Sequence, residues 1–262
     1  MELNLNELLD GKPTRIKGKD YYPTAAYVEP FLERVHRLTN ELRIQVQLPK
    51  QITYTANGDI NTEDITYNRV LIEAILPDEY KFNDDPHRAV IGMVYGIDVR
   101  KPVVKFFKGQ ERRSCTNLCV FSPQLLACQD LEAETSIDYK PLEKIIEQTD
   151  DTASWLRKLI EIDFNCTSQN VNESLGKWIR NCINYSFDNH YGKAKLAVST
   201  PIDAYKLLFE KDDSEYYAGI DSGNISMYQV YNAFTQVLTD GMKKDPFNIF
   251  EKTLLLKDIL SL

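Results

Sequence analysis

The alternation of apolar and polar positions divides this chain into a strand-rich first half and a helical second half. PTAAYVEPFLERVHRLTNEL (23–42) repeats apolar residues at helical spacing through Tyr27, Phe31, Val35, Leu38 and Leu42. The period then shortens to two. RIQVQL (43–48) and QITYTA (51–56) alternate strictly, and NGD (57–59) is a turn signal. TYNRVLIEAIL (66–76) and HRAVIGMVYGIDV (87–99) continue the strands. PVVKFFK and RRSCTNLCVF (112–121) complete them, with KGQE as the tip of a hairpin.

From Pro123 onward the spacing is helical. KPLEKIIEQTDDTASWLRKLIEI (140–162) forms one long helix or two short ones, and NESLGKWIRNCINYSF (172–187) gathers Leu175, Trp178, Ile179, Cys182 and Ile183 on one face. Thr200-Pro201 and Asp245-Pro246 read as helix starts, a cap followed by proline in the first turn. ISMYQVYNAFTQVLTDG (225–241) and the apolar PFNIFEKTLLLKDIL end the chain. Strands first and helices later predict an α+β fold, an antiparallel sheet over roughly residues 43–121 covered by C-terminal helices. Without repeats, low-complexity tracts or a linker, residues 1–262 read as one domain, strand-rich over 43–121 and helical over 140–262.

Charge changes this picture at one place. The chain carries a formal −8, yet residues 100–113 hold six basic side chains and one acid. Residues 1–123 are neutral, with 17 bases and 17 acids, so the acidity belongs to the second half. In strand geometry Lys101, Val103, Lys105 and Phe107 share one face, and Val104 and Phe106 the other. If the second set reaches the core, Lys105 and Phe107 are displayed together. Cations beside a bare ring suit single-stranded nucleic acid, because phosphates release counterions to Lys and Arg and bases stack on aromatic faces. The expected site is Arg100, Lys101, Lys105, Lys108, Arg112 and Arg113 on phosphates, with Phe107 stacking a base. KPTRIKGKDYY (12–22) extends the path through Lys17, Lys19, Tyr21 and Tyr22, and the 172–195 stretch adds Lys177, Arg180, Lys193 and Lys195. The competing reading is an edge hairpin carrying lysine to block unwanted pairing.

Other chemistry is sparse. No phosphate loop or dinucleotide fingerprint occurs, since GMVYG (92–96) lacks both spacing and lysine. Cys115, Cys119 and Cys128 have no histidine near enough in sequence to complete a zinc set. NDDPH (83–87) is either a carboxylate–imidazole corner or, as we favour, an Asp-Pro turn. No nucleophile stands at a family-specific spacing from His36, His87 or His190. Neither a catalytic residue, nor a metal, nor a cofactor is expected. The acidic N-terminus does not read as a secretory signal, and no apolar run is long enough to span a membrane. The five cysteines therefore read as reduced thiols in the cytoplasm.

VVKFFKGQERRSCTNLCVF, with Arg113, Cys115 and Asn117, and YQVYNAFTQVLTDG (228–241), with Tyr231, Asn232 and Ala233, resemble two stretches of a phage- and plasmid-encoded family of unknown function. Together they cover under a quarter of the chain. The resemblance implies a mobile-element protein in a bacterial host. The expected function is single-stranded DNA binding in replication or recombination, with homo-oligomers as a further expectation. The alternative is an interaction protein that binds a host factor through the apolar C-terminal helix. A third reading gathers carboxylates, Asp84 and Asp85 among them, into an enzyme site.

Overall fold

The computed structural model describes residues 14–16, 19–21, 24–39, 41–47, 69–82, 85–96, 103–112, 117–120, 122–130, 137–148, 152–165, 168–189, 192–209, 224–242 and 249–262. Among these the fold is α+β. The central sheet orders its strands β3 (Glu41–Gln47), β4 (Arg69–Phe82), β5 (Asp85–Gly96), β6 (Val103–Arg112) and β7 (Asn117–Cys119), with β8 (Leu126–Asp130) also paired to β6. A short ribbon, β1 (Thr14–Ile16) and β2 (Lys19–Tyr21), precedes it.

The chain separates into two compact units, each assembled from three segments. The first takes residues 1–77, 90–108 and 124–147. Here β3 runs antiparallel to β4 with Ile44 opposite Ile72, and β8 runs antiparallel to β6 with Ala127 opposite Phe106. One sheet face presents Ile72, Ala74, Ile91, Met93, Val104 and Phe106. Helix α1 (Thr24–Val35) covers it with Val28, Phe31 and Val35, spaced three and four residues apart so that all meet the sheet. Helix α2 (Lys140–Glu147) adds Leu142 and Ile145. Phe31 stacks on Phe106 at 6.5 Å between centroids, and Tyr139 tilts against the same ring at 5.5 Å. Arg34 ties the two helices together, 3.2 Å from Glu143 and 4.3 Å from the Tyr139 ring centroid.

The helix expected over 23–42 is shorter than its periodicity. After Val35 the chain turns, the Thr39 hydroxyl accepts from the Glu41 N–H at 3.0 Å, and β3 begins. A serine- or threonine-type turn offers the backbone this alternative to continuing the helix.

The second unit takes residues 78–89, 109–123 and 148–262. Five helices lie here: α3 (Thr152–Glu161), α4 (Ser168–Asn184), α5 (Ser199–Phe209), α6 (Met227–Met242) and α7 (Ile249–Leu260). The 140–162 stretch is thus two helices. Helix α6 is the hub, packing on α3, α5, α7 and β7. It is buried nearly all round, from Met227 to Phe234 with one half-buried position at Gln229, because partners surround it. Trp178 of α4 meets Phe234 edge-on at 5.3 Å.

Two side chains satisfy backbone groups in this unit. The Thr253 hydroxyl of α7 accepts from the Val120 N–H at 3.2 Å and lies 3.3 Å from the Val120 carbonyl, which satisfies backbone groups just beyond β7. Asn181 donates to the carbonyls of Ile259 at 2.9 Å and Asp258 at 3.4 Å, two of the acceptors that the last turn of α7 leaves without helical partners. Two small antiparallel pairs, β9 (Asp163–Asn165) with β12 (Asn224–Ser226) and β10 (Phe187–Asn189) with β11 (Gly192–Ala194), have no counterpart in the sequence reading. Three-residue strands carry too little alternation to be read.

The sheet itself corrects two expectations. KGQE is not a hairpin tip, because residues 108–111 continue β6 and Arg112 pairs with Asn117. The sheet also extends past residue 121 into β8. The expected strand 51–56 and the helix start at Asp245-Pro246 lie outside the described residues.

Gly92 shows how tightly the first unit is fitted. A Cβ at this position would fall inside the ring of Phe107, so the ring occupies the space a side chain would need. We expect Gly92→Ala to cost about 3 kcal/mol, the upper range for overpacking. Urea denaturation should also show Phe107→Leu recovering part of that loss in the double variant, because sites that share one space do not add.

Candidate functional site

The basic ribbon lies inside the sheet. Every residue from Val103 to Gln110 is buried, with Phe107 at 0%, Lys105 at 2% and Lys108 at 8% exposure. Arg112 is half-buried, while Arg100, Lys101 and Arg113 lie outside the described residues. The displayed surface expected of Phe107, Lys105 and Lys108 is therefore not formed, and Phe107 cannot stack a base in this fold. The edge-protection reading fails with it. β6 has β5 on one side, while its other side is shared by β8 along Val103–Phe107 and by β7 along Gln110–Arg112. A strand paired on both sides has no edge to protect.

The buried charges of the ribbon have local work. Lys108 reaches toward the Ile146 carbonyl at 3.5 Å, in the last turn of α2, where a cation complements the helix dipole. Glu111, 1% exposed, lies 3.7 Å from Arg88. In the first unit Arg43 and Glu73 stand directly opposite across β3 and β4, 3.6 Å apart, with Glu73 1% exposed. Burying a carboxylate is costly unless a partner offsets the lost hydration.

A second group of chemically capable side chains converges in the second unit. His87 Nε2 lies 2.7 Å from the Tyr228 hydroxyl, and the Tyr231 phenol is hydrogen-bonded to the Cys119 thiol. Burial holds the Tyr231 phenol well above its ordinary pKa, and Cys119 adds to the effect. Cys119 in turn stands opposite Gln110 in the β6–β7 register. The sequence missed this group because its members are scattered from 87 to 231. One helical turn of α6 brings Tyr228 and Tyr231 onto a single face. His87, Cys119, Tyr228 and Tyr231 are each less than 5% exposed, so these contacts join strands to α6 in the interior. The two family-like stretches meet here, since β7 packs on α6.

Of NDDPH, Asp85, Pro86 and His87 open β5, while Asn83 and Asp84, between β4 and β5, lie outside the described residues. Among the described residues no group of three or more His, Cys, Asp or Glu side chains could hold a metal ion. Cys119, Cys128 and Cys182 are not in disulfides, and Cys115 and Cys166 lie outside the described residues. The C-terminal helix offered as a partner surface is core, with Phe250, Leu254, Leu255, Leu256 and Ile259 all buried.

The exposed basic side chains singled out in the sequence are found farther along the chain. Lys177 and Arg180, one turn apart on α4, are exposed, as are Lys193 and Lys195 on and just after β11. Lys193 approaches Asp188 at 3.8 Å, a solvent-exposed pair worth little. Tyr185, just past the end of α4, is 46% exposed. Of the second basic stretch, Lys19 and Tyr21 belong to β2, and Lys17 and Tyr22 lie outside the described residues.

No protein-family model, curated protein or solved structure matches this chain. Among the described residues no helix is long and apolar enough to cross a membrane.

Removing one partner of the Arg88–Glu111 pair should be costly. Because the Arg88 side chain keeps 16% exposure, we expect Glu111→Gln to cost about 2–3 kcal/mol, between surface and fully buried values. The double variant Arg88→Met with Glu111→Leu should recover most of it in the same urea titration.

Alkaline pH tests the buried acids. Burial pushes the Cys182 thiol from 9.0 up to about 11, and Tyr231 is raised as well. Both groups are held neutral in the fold but ionise at their ordinary values once unfolded. The Cys182 contribution is complete below about pH 9 and is lost as pH rises toward its folded pKa of about 11, while that of Tyr231 begins to be lost only above its ordinary value of 10.0. The urea midpoint should fall across that window, and less steeply in Cys182→Val. An unchanged slope in that variant would exclude the Cys182 thiol as a cause.

Proposed function

We propose that this protein binds single-stranded nucleic acid through the exposed cationic surface of α4 and the β10–β11 hairpin. The observation that carries this reading is the exposure of Lys177, Arg180, Lys193 and Lys195, with the partly exposed ring of Tyr185 between them in sequence. Residues 174–198 hold these four bases against one acid, Asp188, for a local charge of +3 in the acidic half of the chain. Local field rather than net charge governs contact with a polyanion.

Each cation would hold a phosphate, and Tyr185 would stack a base for about 1–3 kcal/mol. Trp178 takes no part, being 2% exposed and packed on Phe234 and Phe164. The resemblance of two stretches to phage and plasmid proteins of unknown function supports a mobile-element protein in a bacterial cytoplasm, where a single-strand binder would serve replication or recombination.

Fluorescence anisotropy with labelled oligo-dT tests the reading. Four neutralised phosphates give a slope of about −3 in log affinity against log salt. Lys177→Glu with Arg180→Glu should weaken binding at least 10-fold while leaving the thermal midpoint unchanged. The reading falls if no micromolar binding occurs at low salt, or if the double variant binds like the parent.

A further inference from the structure

Two nucleophilic side chains of the first unit face each other across the sheet, and the nucleic-acid reading uses neither. In the β6–β8 register Lys105 stands directly opposite Cys128. Opposed residues of an antiparallel pair project to the same side with Cβ atoms about 4.5–5.5 Å apart, within reach of a lysine amine. That side is the one away from α1, because Val104 and Phe106 enter the core beneath that helix. The two positions differ in access. Lys105 is 2% exposed, whereas Cys128 is half-buried and not in a disulfide. Among the described residues β8 pairs with β6 alone, and all five of its residues are half-buried. The sheet thus holds an amine in the interior opposite a thiol on a strand that keeps contact with solvent.

We infer that oxidation by a hydroperoxide joins Cys128 to Lys105 and so fastens β8 to β6. The Cys128 thiolate attacks the distal peroxide oxygen and the O–O bond breaks. Sulfur is oxidised to a sulfenic acid, and the peroxide is reduced to an alkoxide that takes up the proton the thiol gave. The neutral amine of Lys105 then attacks sulfur, forming an S–N bond as the S–O bond breaks. The oxygen leaves as water with one amine proton. Asp130, two residues along β8 on the same side, sets a carboxylate diagonal to Lys105 that can accept the ammonium's other proton beforehand. The product is a sulfenamide, lighter than the reduced pair by two hydrogen atoms. Two thiol molecules reverse it, restoring thiol and amine and leaving as a disulfide.

Peptide mass spectrometry of the folded full chain treated with hydrogen peroxide is the test. Peptides carrying Lys105 and Cys128 should appear joined, lighter by two hydrogens than their sum, and should separate under dithiothreitol. In urea, where the ladder no longer holds the pair together, the joined species should fall at least about 10-fold. Lys105→Arg keeps the charge but offers no neutral amine, so sulfinic acid at Cys128 should accumulate in place of the joined species. Peroxide should raise the thermal midpoint of the parent and not of this variant, because the bond restricts the unfolded chain. A parent whose Cys128 stays reduced, or is oxidised without joining Lys105, overturns the inference. Equal yields of the joined species in urea, or joining that persists in Lys105→Arg, overturn it as well.

Discussion

The fold depends on pairing β6 along both sides. One flank meets β5, and the other is divided between β8 for the first half of the strand and β7 for the second. No backbone edge is left over most of its length, and nine consecutive residues are buried. Phe106 enters the core beneath α1, while Phe107, on the opposite face, fills the gap above Gly92. A strand covered on both faces reads as a continuous buried run, the pattern of parallel sheets, although this sheet is antiparallel.

Burial on both faces forces charged side chains into an interior that stabilises them only with partners. Glu111 answers Arg88, Glu73 answers Arg43, and Lys108 turns toward the end of a helix. Of the ribbon's cations, Lys105 and Lys108 are buried within the protein and Arg112 is half-buried. His87 with Tyr228 and Tyr231 with Cys119 perform a similar task in the second unit, where polar groups from strands and α6 satisfy one another out of water. Chemically capable residues gathered at such low exposure do not by themselves form a site for a ligand.

The function we propose is therefore placed on the best displayed run of charge rather than on the densest one. Lys177, Arg180, Lys193 and Lys195 are fewer than the bases of the ribbon and more widely spaced, yet all four meet solvent. The sequence named them as an extension of the path. The exposure of Ile183 was invisible there, because Ile183 shares a helical stripe with Trp178, Ile179 and Cys182 that reads as one buried face. Trp178 and Cys182 are buried, Ile179 is half-buried, and Ile183 stands at 61% exposure where α4 nears its end.

Periodicity by itself determined the class of this protein. A period of two through 43–48, apolar β-rich runs through 69–76 and 87–94, and helical spacing through 225–241 and the C-terminus follow from which residues must leave water, and that information is local. The order of strands is not local. Whether β6 lay at an edge depended on β8, a five-residue strand beyond the expected sheet, and on β7 pairing only with its last three residues. The same letters, VVKFFKGQER, describe an exposed finger or a buried strand equally well. Only the neighbours that tertiary structure brings alongside decide which side chains keep their water.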